Sequence, residues 1–311
     1  MGKTAFLFAG QGSQYPGMAK DLYDAVPEVK ELFDEAESIR PGTLKQMFEG
    51  TREELKKTDN TQPCLFLADL AGAVALKSQG ISTDAVAGFS LGEVAALYFS
   101  GVLSFSEAFR FVCLRGEVMQ RSAMENEGSM IAVLKIGRNE LEELGKETET
   151  FPVNYNCPGQ IVVSGKVENI EKLKAHLTEK KVRFIPLEVG GPFHSPYMAD
   201  ATKALKEELS KEGSYNIKKP TIALFSNMTA ELYPEEKLEI IEAISDQVSN
   251  SVRWEDILRN MKEMEVDTFV ECGPGKALSG FVKRTVPVSR ILSVSDLESL
   301  GDAIKELKNV C

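Results

Sequence analysis

Short, nearly continuous apolar runs alternate with helical periodicities along this chain, and that alternation restricts the fold more than any other feature. The runs are Thr4–Phe8, Asp84–Ala87, Ile222–Phe225 and Asp267–Val270. Strands apolar on both faces and separated by helices predict an α/β fold with a parallel sheet covered on both sides. Boundary signals agree: Thr51 with Glu54 and Ser104 with Glu107 have capping-box spacing, Pro63 sits early in a helical run and Gly80 follows one. From about Gly128 to Gly190 the order changes to strand 129–136, helix 139–147, strand 152–156, strand 160–164, helix 168–180 and strand 182–189. That is the split β-α-β-β-α-β unit. The expected architecture is a large α/β domain with a parallel sheet core, residues 1–127 and 191–311, carrying an inserted small ferredoxin-like subdomain, residues 128–190.

Composition narrows the function classes. With 311 residues, 43% of them apolar and 27% charged, the chain has material for an ample core and is neither disordered nor a disulfide scaffold. A net charge of -11, with no basic run interleaved with aromatics, opposes a nucleic-acid partner. Cysteines 64, 113, 157, 272 and 311 are widely spaced and form no C-x-x-C, so no metal site and no disulfide framework is expected, and a reducing cytoplasm fits. The most apolar stretch, Leu65–Leu76, is broken by Asp69, and the N-terminus enters a strand without a signal-like apolar region. No membrane association is expected.

Gly88-Phe89-Ser90-Leu91-Gly92 lies between the run ending at Ala87 and the helical run beginning at Glu93, the strand-turn-helix context of a nucleophile elbow. Ser90 would stand at the C-terminal edge of the sheet, with the Leu91 N–H at the helix start free for an oxyanion. The competing reading is a glycine turn in which Ser90 only caps the helix. A serine nucleophile needs a base, and the chain has two histidines. His176 sits among charged neighbours on an amphipathic helix, whereas His194 lies in the loop Gly190-Gly191-Pro192-Phe193-His194-Ser195-Pro196, so His194 is the base by elimination. A second glycine turn, Ala9-Gly10-Gln11-Gly12-Ser13-Gln14, follows the first strand, and the Gln11 N–H is a candidate second oxyanion donor. Arg115 falls on the apolar stripe formed by Ala108, Phe111, Val112, Val118 and Met119. A guanidinium there is either waiting for an anionic ligand or paired with an acid, and the spacing leaves both open. Gly116 beside it permits close approach of another element.

These pieces resemble the malonyl-CoA:acyl carrier protein transacylases of bacterial fatty-acid synthesis and the acyltransferase domains of polyketide synthases. The likeness runs through Phe8-Ala9-Gly10-Gln11-Gly12-Ser13-Gln14, Gly88–Glu93, Leu114-Arg115-Gly116, Asn154–Gln160, Pro192–Ser195, Ser226-Asn227, Val252-Arg253-Trp254 and Glu271–Gly275. It implies a Ser90–His194 dyad with the main-chain carbonyl of Gln247 orienting the imidazole, oxyanion donors from Gln11 and Leu91, Arg115 as the clamp on a malonyl carboxylate, and Asn156 lining the same pocket. It further implies an α/β-hydrolase-like catalytic large domain, malonyl-CoA as the thioester substrate, the phosphopantetheine arm of acyl carrier protein as acceptor and no bound cofactor; a monomer is expected. Phe89 and Ser251 depart from the family, which commonly has His and Pro there. Rival readings are an acyl hydrolase on the same scaffold, a polyketide-pathway acyltransferase and a non-catalytic carrier-binding module. Lys180, Lys181 and Arg183, and separately Lys283 with Arg284, are two basic clusters expected to flank the entrance for an acidic carrier.

Overall fold

The computed structural model describes residues 2–308; Met1 and residues 309–311, Cys311 among them, lie outside the described residues. The strands are β1 Lys3–Phe8, β2 Ala85–Gly88, β3 Gly128–Leu134, β4 Phe151–Cys157, β5 Gln160–Lys166, β6 Arg183–Pro186, β7 Ala223–Leu224, β8 Val266–Cys272 and β9 Arg290–Val294. They divide between a five-stranded sheet in the order β7-β2-β1-β8-β9, parallel throughout, and a four-stranded antiparallel sheet in the order β4-β5-β3-β6. In the parallel sheet, Phe6 stands opposite Val86 on one side and Val270 on the other. Chain order reverses beside β1, so the loops after β1 and β8 part at the C-terminal edge and leave a crevice there.

The helices that cover this sheet explain where polar side chains end up inside. Helix Thr58–Ser78 is apolar around its whole circumference and therefore sinks into the core, carrying Gln62 and Asp69 with it. It starts five residues before Pro63, so that proline lies in its second turn rather than at its start. It closes with a left-handed Gly80, whose N–H reaches Lys77 O at 2.9 Å while the Ile81 N–H reaches Leu76 O at 3.1 Å. Helix Phe105–Glu125 opens on the Ser104/Glu107 capping box and buries the stripe that includes Arg115. Gly116 lets the two helices touch: a Cβ there would stand 3.0 Å from Asp59 Cα and 3.1 Å from Thr58 O.

The smaller sheet, with helices Arg138–Thr148 and Val167–Glu179, has the predicted ferredoxin-like order. Period-two alternation, reset in β4 by a register shift between Pro152 and Asn154, splits its faces: Ile131, Val133, Tyr155 and Val163 pack under the two helices with Leu141, Leu173 and Leu177, whereas Met130, Ala132, Val153 and Val162 face the main core. The last strand is shorter than the sequence suggests. It ends at Pro186, which has no N–H to continue a ladder, on the sheet edge. Backbone bonds from Val252 N to Val153 O at 2.7 Å and from Tyr155 N to Val252 O at 2.9 Å tie β4 to the segment before Trp254. Ser251 adds a hydrogen bond from its hydroxyl to Pro152 O at 3.0 Å, holding by a side chain what proline would hold by its ring.

Candidate active site

Ser90 sits between β2 and helix Gly92–Phe99 with φ 53°, a left-handed conformation that serine adopts only when its surroundings impose it. Two glycines make the turn possible. A Cβ on Gly88 would fall 1.8 Å from the carbonyl carbon of Gly92, and one on Gly92 would fall 2.3 Å from Phe8 O. Asn227 and Gln247 then clasp the turn from outside. The Asn227 carboxamide accepts from Ser90 N at 2.7 Å and donates to Gly88 O at 2.6 Å, and Gln247 Nε2 donates to Ser90 O at 2.7 Å.

His194, also left-handed with φ 61°, is fixed by its N–H on Val248 O at 3.1 Å. Its Nε2 lies 2.7 Å from Ser90 Oγ, and its Nδ1 lies 3.0 Å from Gln247 O and 3.1 Å from Asn250 O. Carbonyls only accept, so Nδ1 carries the proton and Nε2 is left to accept from the serine hydroxyl. Burial, and then the nearby Arg115 charge, push the imidazole down to about 4, although both carbonyls pull the other way. The ring is therefore neutral at physiological pH.

Arg115 is buried and donates to Gln62 Oε1 at 2.8 Å, Gln247 Oε1 at 2.8 Å and Ser90 Oγ at 3.3 Å. Of the two alternatives left open by its place on the stripe, the direct ion pair is not what the structure holds: among the described residues no carboxylate comes within 4.0 Å of this guanidinium. Burial lowers it to about 10, which leaves it charged. The balancing acid is Glu93, held one layer away. Its carboxylate accepts from Asn227 N at 2.7 Å and from the Tyr233 hydroxyl, and burial holds it up at about 7.

The crevice beside β1 contains a cavity of about 270 Å³ lined by Gly10, Gln11, Phe89, Asn154, Asn156 and Gln160, together with Leu278 and Phe281. The N–H groups of Gln11 and Leu91 have no acceptor among the described residues. Asn154 and Asn156, two apart on β4, present buried side-chain oxygens that also lack partners. Asn156 thus lies with Gln11 and Phe89, but the cavity wall includes none of Ser90, His194 and Arg115. Phe89 lies over Gly10, where a Cβ would meet its ring at 2.7 Å, and packs edge-on against Trp254 with centroids 5.4 Å apart. The departure from histidine therefore makes an apolar floor. His176 is exposed on helix Val167–Glu179 and is not among the residues lining the cavity. Of the basic clusters, Arg284 reaches the cavity rim through Gln160 Oε1 at 2.8 Å, whereas Lys180 is engaged by Glu140 at 2.8 Å. The supporting residues Gln62, Tyr233 and the Asn250 carbonyl did not enter the sequence reading, and Glu93 and Asn227, though inside recognised motifs, had no role assigned to them. For Gln62 and Glu93 a signal existed: each is a polar residue inside an otherwise apolar helical run.

The acyl transferase domain family matches residues 5–311. The chain belongs to that family, among the malonyl CoA-acyl carrier protein transacylases. A Bacillus subtilis protein of that name is 42% identical over 99% of this chain and 98% of its own length. A crystal structure of the Clostridium perfringens transacylase superposes with a TM-score of 0.93 at 36% identity, covering 99% of this chain and 98% of that one. A malonyl-transacylase solved in complex with its type II PKS acyl-carrier protein superposes at 0.92 with 32% identity, covering 98% of this chain and 99% of that one. Among the described residues no helix of this acyl transferase is long and apolar enough to cross a membrane, and no group of three or more His, Cys, Asp or Glu side chains is placed to hold a metal.

Proposed function

We propose that this acyltransferase moves a malonyl group from malonyl-CoA to the phosphopantetheine thiol of acyl carrier protein in fatty-acid synthesis, through a malonyl ester on Ser90. The observation that carries this reading is Arg115: a buried guanidinium held by amides alone, 3.3 Å from the Ser90 hydroxyl. A charge so close to the nucleophile suits an acid one carbon removed from the reacting carbonyl, and a longer diacid would overshoot it.

His194 Nε2 takes the Ser90 proton as Oγ attacks the thioester carbon, and the Gln11 and Leu91 N–H groups receive the developing oxyanion. The C–S bond breaks and the proton passes from His194 to the coenzyme A sulfur. The carrier thiol then attacks the ester with His194 again as base, returning Ser90 to its free form. Nucleophile, base and oxyanion donors complete this cycle without a bound cofactor. We read residues 1–127 and 191–311 as the catalytic unit and 128–190 as an insert that walls the cavity with β4 and β5. All these groups come from one chain, so the cycle calls on no residue of a second subunit; we read the protein as a monomer, with the acidic carrier docking over Lys283 and Arg284 in the cytoplasm.

The test is intact-mass analysis after mixing with malonyl-, methylmalonyl- and acetyl-CoA, followed by fatty-acid and polyketide carriers. A malonyl adduct on Ser90 discharged by the fatty-acid carrier is expected; discharge by the polyketide carrier alone would move the protein to that pathway. Arg115→Ala should weaken malonyl transfer by at least about 2 kcal/mol, roughly thirtyfold, while acetyl-CoA becomes a relatively better substrate. An unchanged malonyl-to-acetyl preference would remove Arg115 from the substrate site.

A further inference from the structure

Glu93 is the one acid buried in the Ser90 network, and the acyl-transfer steps above do not use it. It is 2% exposed, on the first turn of the helix that starts beside the nucleophile. Its two oxygens accept from different places: one from the Tyr233 hydroxyl, the other from the Asn227 main-chain N–H at 2.7 Å. Asn227 in turn clasps both sides of the Ser90 turn, and Gln247, 3.3 Å from the Asn227 side-chain oxygen, carries Arg115. The Glu93 main-chain N–H donates to Ser90 O at 3.1 Å, while its carboxylate is wired to the serine turn and to the guanidinium only through Asn227 and Gln247. The charged and titratable groups that face it are Arg115 from helix Phe105–Glu125 and Tyr233 from the segment after β7, while His194 lies beyond Arg115.

We propose that Glu93 is a positioning residue that also serves as the resting counter-charge of Arg115, and that it takes up a proton when a malonyl carboxylate arrives, so that malonylation of Ser90 is coupled to proton binding. The inference rests on the reading of Arg115 as the malonyl clamp. Two carboxylates cannot share one buried guanidinium as well as one can, because each opposes the charge of the other. The fixed acid, whose proton affinity already lies near neutrality through burial, is the one that yields. Bonds balance simply: the Ser90 Oγ–acyl bond forms, the C–S bond breaks, the serine proton leaves on the coenzyme A sulfur, and one further proton comes from solvent to the Glu93 carboxylate. An acetyl group carries no charge and calls for no such proton. His194 is the other group whose proton affinity a malonyl anion would raise, but it starts at about 4 and contributes little at pH 7.

The experiment is stopped-flow mixing in weak buffer with a pH indicator, comparing malonyl-CoA with acetyl-CoA. At pH 7 the parent should take up roughly half a proton per site with malonyl-CoA and about none with acetyl-CoA, the difference vanishing by about pH 5, where Glu93 is already protonated. Glu93→Gln, which keeps an acceptor for Asn227, should abolish the uptake and raise the malonyl-to-acetyl ratio at pH 8; a merely structural loss would lower both rates together. Tyr233→Phe, which removes one hydrogen bond from the ionised acid, should move the pH of maximal uptake upward. Equal proton changes for the two thioesters in the parent overturn the proposal, as does uptake that persists in Glu93→Gln or a maximum unmoved in Tyr233→Phe. The Arg115 reading fails separately, if Arg115→Ala keeps the parent's preference for malonyl-CoA.

Discussion

His194 and Ser90 each hold a left-handed backbone angle, and both are pinned by hydrogen bonds to other segments, so the atoms proposed to react are set before substrate arrives. Ser90→Ala should stay folded and take up no malonyl group by intact mass. His194→Ala should slow acylation by roughly a hundredfold to ten-thousandfold, and His176→Ala should leave it near the parent rate. As the proposed base, His194 must be neutral to act, and its folded value is depressed to about 4, so the acid limb of kcat/KM should fall nearer pH 4 than pH 6.5. At this scale the sequence revealed whatever had a strong local context: the serine between two glycines, the loop histidine, the arginine on an apolar stripe. It was silent on partners. Arg115 meets Gln62 and Gln247 across 53 and 132 residues of chain, and no periodicity encodes which buried amide meets which guanidinium. Asn227 lay within a recognised Ser-Asn pair, yet its clasp on Gly88 and Ser90 depends on where β7 ends beside β2.

Around the nucleophile elbow, β2, the loop after β1 and the helix Gly92–Phe99 approach one another through glycines. Gly88→Ala would drive a methyl group into the Gly92 carbonyl, where only backbone could yield, separating β2 from the helix that follows the nucleophile. A loss of about 3 kcal/mol or more in urea unfolding is expected, with acylation lost in whatever remains folded. The predicted strands and helices of the insert lie within a few residues of their observed bounds because its alternation is regular. Two elements were harder to read. β9 is half-exposed and contains Arg290 and Ser293, so it lacks the continuous apolar run that marked the other parallel strands. Helix Thr58–Ser78 begins before its proline because Thr58, Thr61 and Gln62 are buried, and burial is a tertiary matter.

For the molecule as a whole, two buried groups act on stability in opposite directions. Glu93, raised to about 7, contributes stability that is complete below about pH 4.5 and lost as pH rises through 7; His194, depressed to about 4, contributes stability that is complete above about pH 6.5 and lost as pH falls through 4. Their slopes oppose between those limits. Glu93→Gln should therefore gain stability relative to the parent on going from pH 5 to pH 8, by an amount on the order of 3 kcal/mol in urea titrations at the two pH values. Charge also decides how a carrier approaches a protein of net charge -11, because exposed charges act over only about 8 to 10 Å at physiological salt. Reversing Lys283 and Arg284 to Glu should raise the KM for carrier protein and leave acylation by malonyl-CoA intact, whereas reversing Lys181 and Arg183 should do less. A salt-independent, unchanged KM in the first variant would place the docking surface elsewhere. The two carbonyls behind His194 bear on the fate of the acyl ester itself. A base backed by dipoles instead of a carboxylate, and standing near a cation, has little appetite for protons. Ser90 yields its proton in the proposed cycle because its hydroxyl is held 2.7 Å from Nε2. A nucleophile arriving from solution has no such placement, and there a thiol, which ionises near pH 8.5, gives a proton up far more readily than water, near 15.7. Weakness in the base thus sorts nucleophiles and keeps the ester for the carrier, so acetyl-Ser90 should hydrolyse faster in Arg115→Ala, where the imidazole is relieved of its neighbour's charge, than in the parent.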